Sequence, residues 1–199
     1  MDDNLKYGRT LFQKIKDFLF FPVRILFEHE TVEKLGLTSF RSERFRACLP
    51  FVKGNVLDIG CGKGNEFIRM IKKGIGLDFN PWPGVDVVAS AEQMPFDDKM
   101  FDTVTMMVSF RYIKNREVAM REIKRVLKDD GLLLILENCP FVNRLRLVLI
   151  RWWNPYKNMY EKNDLTKKNM KKIIEQNDLK LTKIVRYIYG FGRLYVISR

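Results

Sequence analysis

Histidine is almost missing from this sequence, with His29 the only one, and the cysteines are just three, Cys48, Cys61 and Cys139. One histidine excludes a histidine-rich metal centre. Three scattered cysteines form neither a CxxC pair nor an even-numbered disulfide framework, so no metal is expected and the thiols read as those of a reduced, cytoplasmic protein. Long apolar runs are also missing. The longest, Phe18 to Phe27, is broken by Pro22 and Arg24 and reaches about half the length of a membrane span. Asp2 and Asp3 stand where a secretory leader carries basic residues, so no leader is expected. Repeats and low-complexity linkers are absent, and the 199 residues suit a single domain with one substantial core.

Positive charge is plentiful, and it is unevenly placed. Residues 1–55 carry 10 basic and 7 acidic side chains, residues 56–140 carry 12 and 13, and residues 141–199 carry 14 and 4. The basic C-terminal third has two readings, a solvated face or a surface for an anionic partner such as a phosphorylated substrate, a lipid head group or nucleic acid.

Three regions follow from patterning: an N-terminal helical cap over residues 1–53, a core over 54–140, and a substrate-side segment with a C-terminal hairpin over 141–199. In the cap, Leu11, Phe12, Ile15, Phe18 and Leu19 share one helical face until Pro22 stops or kinks the helix. A second helix is expected over Ser39 to Leu49, capped by Thr38 or Ser39. Beyond Gly54, apolar runs at Asn55–Ile59, Gly74–Phe79, Val85–Ala89, Phe101–Val108 and Leu132–Glu137 alternate with helical stretches at 65–72 and Glu117–Leu127. Buried apolar strands separated by helices imply a parallel sheet covered on both faces, an α/β fold. Near the C-terminus a lysine-rich helix over Thr166–Gln176, with Met170, Ile173 and Ile174 inward, precedes a hairpin of Leu179–Tyr189 and Arg193–Ser198.

The chemistry concentrates in Val56-Leu57-Asp58-Ile59-Gly60-Cys61-Gly62-Lys63-Gly64. A strand delivers a carboxylate into a glycine loop before a helix, where loop N–H groups and the helix N-terminus are expected to face a ligand. A dinucleotide loop reads Gly-x-Gly-x-x-Gly, whereas here the third glycine, Gly64, comes one residue early. Asp58 would repel a pyrophosphate and attract a ligand with an ammonium and a sulfonium, which is S-adenosylmethionine. Asp78 ends the next strand, 20 residues after Asp58, where a carboxylate can accept both ribose hydroxyls. The loop from Ser90 to Phe96 follows the third strand, at the sheet edge where open α/β folds bind ligands, and could read an adenine edge. Asp102 reads as a turn former.

At residues 56–64, 74–80, 90–104 and 121–135 the chain resembles the class I S-adenosylmethionine-dependent methyltransferases, and among them the ubiquinone/menaquinone biosynthesis group. The resemblance implies a Rossmann-like αβα sandwich with a seven-stranded, mostly parallel sheet and an antiparallel C-terminal strand. It implies S-adenosylmethionine as cofactor, with Gly60, Cys61 and Gly62 beside its methionine part, Asp78 and Phe79 at the ribose, Ser90, Ala91 and Glu92 at the adenine, and Val108 on the methyl side. Ser90 stands where that group often carries Asp. Ser109-Phe110-Arg111-Tyr112 replaces the histidines it often carries after strand four. More loosely, residues 36–41, 81–86 and 193–196 resemble methyltransferases encoded near surface-polysaccharide genes, which points to a glycan or glycolipid substrate.

For the acceptor, three readings stand. The first is methyl transfer to a small-molecule, glycan or lipid-linked acceptor; the second is an RNA-directed methyltransferase using the basic C-terminal third; the third is a non-catalytic interaction protein on this scaffold. Arg111, Tyr112 and Glu137 are candidate bases, each with a packing or surface role beside the catalytic one. His29, between Glu28 and Glu30, reads as a solvated helix residue with a place over the pocket as the alternative. An Asn/Asp-Pro-Pro-Tyr motif after strand four, which grips exocyclic amines, is missing; Asn154-Pro155-Tyr156 reads as a turn. Phe141, Leu145, Val148, Leu149, Trp152 and Trp153, flanked by Arg144 and Arg151, could form core, a lid or an anchor at the membrane surface.

Overall fold

A computed structural model describes residues 9–138 and 165–199. Helices α1 (Leu11–Leu19), α2 (Phe21–Leu26), α3 (His29–Lys34) and α4 (Phe40–Cys48) form the N-terminal region. The core follows as β1 (Val56–Ile59), α5 (Glu66–Ile71), β2 (Ile75–Asp78), β3 (Val87–Val88), β4 (Phe101–Met107), α6 (Arg116–Val126) and β5 (Leu127–Asn138). Then come α7 (Lys167–Gln176), β6 (Lys180–Tyr187) and β7 (Gly192–Ser198). The expected amphipathic segment at 141–160 and Cys139 lie outside the described residues.

Helix starts obey local chemistry. Thr10, Ser39, Asn115 and Thr166 each accept a hydrogen bond from a backbone N–H three residues on, capping α1, α4, α6 and α7. Pro22 sits in the first turn of α2, where its missing N–H costs nothing. It therefore separates two helices, as the sequence predicts, and Ser39 is the α4 cap.

The seven strands form one sheet in the order β3-β2-β1-β4-β5-β7-β6. Only β7 runs against its neighbours, pairing antiparallel with β5 and β6. Alternation along the central strands sorts side chains to the two faces. Leu57, Ile59, Leu133, Ile135, Tyr195 and Ile197 meet Met120 and Ile123 of α6 and Met170 and Ile174 of α7. Val56, Leu134, Leu136, Leu194 and Val196 meet Cys48 of α4 and Phe67 and Ile68 of α5. This is the expected three-layer αβα sandwich.

Strand five differs from expectation. It begins at Leu127, directly after α6, and its partner register on β4 jumps from Phe101–Leu127 to Thr103–Leu132. The excursion holds Asp129 and Asp130, which face Lys99 and Lys53 at the surface. Among the described residues no helix is long and apolar enough to cross a membrane.

Candidate active site

The parallel strands β1, β2 and β4 carry the site at their C-terminal ends. Asp58 lies on β1 with all four strand residues buried, and it is in register with Thr105 of β4. Thr105 Oγ1 donates to Asp58 Oδ1 at 2.6 Å. Burial pushes the Asp58 carboxyl up to about 7; the Thr105 hydrogen bond opposes that shift and the Asp78 charge adds to it. A buried acid so raised is matched to a cation placed beside it.

Four N–H groups of the glycine loop are bonded within the fold, where the sequence leads one to expect them to face a ligand. Gly60 and Cys61 donate to Leu77 O at 2.7 and 3.1 Å, Gly64 to Pro83 O at 2.8 Å, and Gly62 to Asp78 Oδ2 at 2.9 Å. These bonds seat the loop on the end of β2. Gly60 has φ 74°, and a Cβ there would lie 2.3 Å from Ser109 Cβ. Ser109 in turn donates to Ile59 O at 2.6 Å. The loops after β1 and β4 are thus locked together, and only glycine fits the crossing.

Asp78 is buried and accepts from two N–H groups, Gly62 through Oδ2 and Asn80 through Oδ1, at 2.9 Å each. Carboxylate oxygens can accept more than one hydrogen bond, so the group builds the loop and still presents an acceptor edge. A cavity of about 530 Å³ opens on that edge. Gly60, Asp78, Phe79, Ser90, Ala91 and Glu92, all expected at the cofactor, line it. So do Met106, Ser109, Tyr112 and Ile113, which the sequence reading did not assign to the cofactor. Ser90 Oγ accepts Glu92 N at 3.1 Å, and Glu92 Oε1 accepts Asn115 N at 2.9 Å, so both side chains shape the loop floor.

A second cavity, of about 170 Å³, lies on the other side of Gly60. It is lined by Asp58, Cys61 and Phe67 of the core and by His29, Arg41 and Arg44 of the N-terminal helices. His29 therefore reaches the pocket, with Nε2 3.9 Å from Glu66 and 4.0 Å from Glu30. Arg41 pairs with Glu66 and with Glu33. Sequence reading quoted Arg41 only in a loose resemblance and passed over Arg44, because nothing local ties α4 to a loop that follows it. The burial of Cys61, with Asp58, Asp78 and Asp86 around it, pushes its thiol up to about 12, so it packs as a neutral group.

Gly62 and Val108 line neither cavity. Val108 follows the last residue of β4 with φ 63°, a conformation that a β-branched side chain adopts only under constraint, and its N–H is held by Leu136 O at 2.8 Å. Such strain re-aims the chain at the strand end, beside the site. Of the candidate bases, Tyr112 borders the larger cavity. Glu137 and Arg111 form a buried ion pair, with Arg111 Nε donating to Glu137 Oε2 at 2.9 Å. Burial raises the Glu137 carboxyl while Arg111 and then Arg116 lower it, with burial prevailing. Asp102 is the turn former expected, accepting from Asn55 N at 2.7 Å and Lys128 Nζ at 2.8 Å.

Comparison with known proteins agrees with this fold. A methyltransferase domain family matches residues 57–135. A demethylmenaquinone methyltransferase of Thermotoga maritima is 35% identical over 173 residues, covering 76% of this chain and 72% of that protein. An uncharacterized protein of Methanocaldococcus jannaschii is 38% identical over 88 residues, which cover 40% of this chain and 35% of its own length. Among solved structures, a SAM-dependent methyltransferase from Thermotoga maritima superposes with TM-score 0.65 at 19% identity, covering 79% of this chain and 88% of that one. A methyltransferase solved in complex with a Haloferax volcanii methyltransferase activator superposes with TM-score 0.63 at 16% identity, covering 96% and 99%. The two superpositions speak for the fold; together with the family match and the Thermotoga relative, they show that the chain belongs to the S-adenosylmethionine-dependent methyltransferases.

Proposed function

We propose that this methyltransferase acts on a small-molecule acceptor, and that a lipid-linked one fits better than a glycan or RNA. The observation that carries the reading is the pair of cavities meeting at Gly60, one with Asp78 on its edge and the other with Asp58 in its wall. An adenosine in the larger cavity would set its ribose against Asp78 and Phe79 and its adenine among Ser90, Ala91 and Glu92. The methionine part would pass Gly60 and Cys61 into the smaller cavity, with Gly62 holding the loop from behind through Asp78. There its ammonium meets a carboxyl with no cation bonded to it among the described contacts, and Arg41, which pairs with Glu33 and Glu66, and Arg44 line the same cavity as cations beside the carboxylate. The donor set therefore fits the cofactor in size, charge and order.

S-adenosylmethionine, when bound, supplies a methyl group already activated on a sulfonium. The chain's task is to align an acceptor and keep water out. In this reading strained Val108 fixes the methyl side, and His29 closes the smaller cavity from helix α3. The Arg111–Glu137 pair holds the ends of β4 and β5 and serves as structure rather than as base.

Two observations support the acceptor class. The Thermotoga relative that covers most of the chain is named for a quinone lipid. Of the nine described basic side chains of the C-terminal third, seven, Lys167, Lys168, Lys171, Lys172, Lys180, Lys183 and Arg186, are exposed on α7 and the edge strand β6, with β4, β5 and β7 between that strand and β1; Arg193 and Arg199 are the others. RNA held there would lie away from the methyl group. The test is calorimetry with S-adenosylmethionine, followed by methyl transfer to demethylmenaquinone and to a glycolipid. Binding without transfer to either acceptor would refute the acceptor class, and no binding at millimolar ligand would refute the site.

A further inference from the structure

Helix α1 is amphipathic, and it faces the wrong way for a core helix. At about 100° per residue, Leu11, Phe12, Ile15, Phe18 and Leu19 share one arc, Lys14 and Lys16 flank it on either side, and Gln13 and Asp17 lie opposite. The side that docks is the polar one. Asp17 is 0% exposed, and it accepts from Thr38 N at 2.8 Å, Gln13 Nε2 at 2.9 Å and Arg9 at 2.9 Å. The apolar arc is left in solvent, with Leu11 74%, Phe12 77% and Leu19 69% exposed. Phe20, Leu26 and Phe27, on the segment that follows, are exposed as well.

We propose that this arc is a membrane-docking surface for an anionic bilayer. Two features select that occupant. Polar anchoring of Asp17 holds the apolar side outward, so among the described residues the exposure is built into the fold. Exposed Lys14 sits where an interfacial helix carries a cation, beside the apolar arc, in a chain of net charge +12, while Lys16 on the other flank donates to Leu35 O and Gly36 O at 3.3 and 3.2 Å. A second copy is the poorer partner, because face-to-face packing about a two-fold axis would bring Lys14 toward its own image. The surface is independent of the acceptor: it would seat the enzyme at a bilayer whichever molecule is methylated.

The experiment is co-sedimentation of the full chain with phosphatidylcholine vesicles, with and without phosphatidylglycerol, beside sedimentation velocity without lipid. The wild type should pellet with the anionic vesicles, and less so as salt is raised. Leu11→Glu combined with Phe12→Glu should weaken partitioning about tenfold or more, and Lys14→Glu should weaken it less. Both variants should keep the wild-type thermal midpoint and cofactor affinity, since these side chains support nothing inward; Phe12→Ser alone replaces the double variant if that one does not fold. The proposal is overturned if the wild type stays in the supernatant with anionic vesicles. It is equally overturned if the folded variant pellets like the wild type, or if the wild type is a dimer that the variant dissolves and neither form binds vesicles.

Discussion

Thr105 on β4 and Asp58 on β1 sit directly opposite each other in the parallel ladder, and the Thr105 hydroxyl is bonded to the Asp58 carboxyl at 2.6 Å. That contact fixes the carboxyl in the sheet while burial keeps its acidity low. The unfolded chain ionises such a group near 3.8 and the folded chain near 7. Between those values the folded state holds a proton that the unfolded state has lost. This group's contribution to stability therefore falls as pH rises from about 4 to about 7, by at most about 4 kcal/mol. A cationic ligand reverses the preference, because it favours the ionised acid. Affinity for S-adenosylmethionine should rise with pH through 7 and level off above it. Asp58→Asn should flatten that profile, lower affinity above pH 7 about tenfold or more, and leave the ligand-free protein as stable or more so there. Titration calorimetry on either side of pH 7, with thermal melts of the ligand-free forms, reads both quantities.

Asp78 has two jobs that mutation can separate. It accepts Gly62 N and so holds the glycine loop, and it borders the larger cavity. Asp78→Ala removes both functions and should nearly abolish cofactor binding. Asp78→Asn keeps an oxygen for the loop N–H but loses the charge and half the acceptor capacity. It should bind about tenfold to a hundredfold less tightly, a loss of one or two charge-assisted hydrogen bonds, with a thermal midpoint between those of the wild type and Asp78→Ala, since its NH2 faces one of the two N–H groups that Asp78 accepts. Equal affinity in the asparagine variant would remove Asp78 from the ribose role.

Much of this was legible because local rules and tertiary demands agreed. Val56-Leu57-Asp58-Ile59 followed by glycines can be little else than a buried strand entering a tight loop, and Ser39 and Thr166 cap their helices as their residue types predict. What the sequence hid were relations between distant segments. Nothing near Gly62 signals that its N–H belongs to Asp78, or that Arg41 and Arg44 would close a cavity against Asp58. The α1 periodicity was plain, but periodicity says which residues share a face and not which way the face turns. Only the contacts of Asp17 with Arg9 and Thr38 decide that. Asp129-Asp130-Gly131 looks like a turn, which predicts a shorter strand five; it is an excursion within a longer pairing.

Gly60 tests the lock between the two loops. Alanine there would place a methyl 2.3 Å from Ser109 Cβ on a backbone with φ 74°, so Gly60→Ala should cost about 2–4 kcal/mol of stability from strain and overpacking together. Adding Ser109→Gly removes the opposing carbon and should recover the steric part. The left-handed backbone cost would remain, about 1 kcal/mol. Chemical denaturation of the three proteins resolves the two contributions.

Glu43 is the last place where the fold concentrates charge. It is buried, it pairs with Arg24 and with Arg9, and its Oε2 accepts Ile188 N at 3.2 Å. Ile188 and Tyr189, at φ 49° and 54°, make the turn between β6 and β7 in a conformation neither residue prefers. One carboxylate therefore joins α2, α4 and a strained hairpin turn. Glu43→Ala would leave the buried Arg24 guanidinium without its anion and the turn without its acceptor, so it should destabilise the protein by about 3–5 kcal/mol. Replacing Arg24 and Glu43 together by Met and Leu should cost much less, because no buried charge is then stranded. If instead the two losses added, the pair would be contributing as independent contacts, and the network reading of this corner would fail.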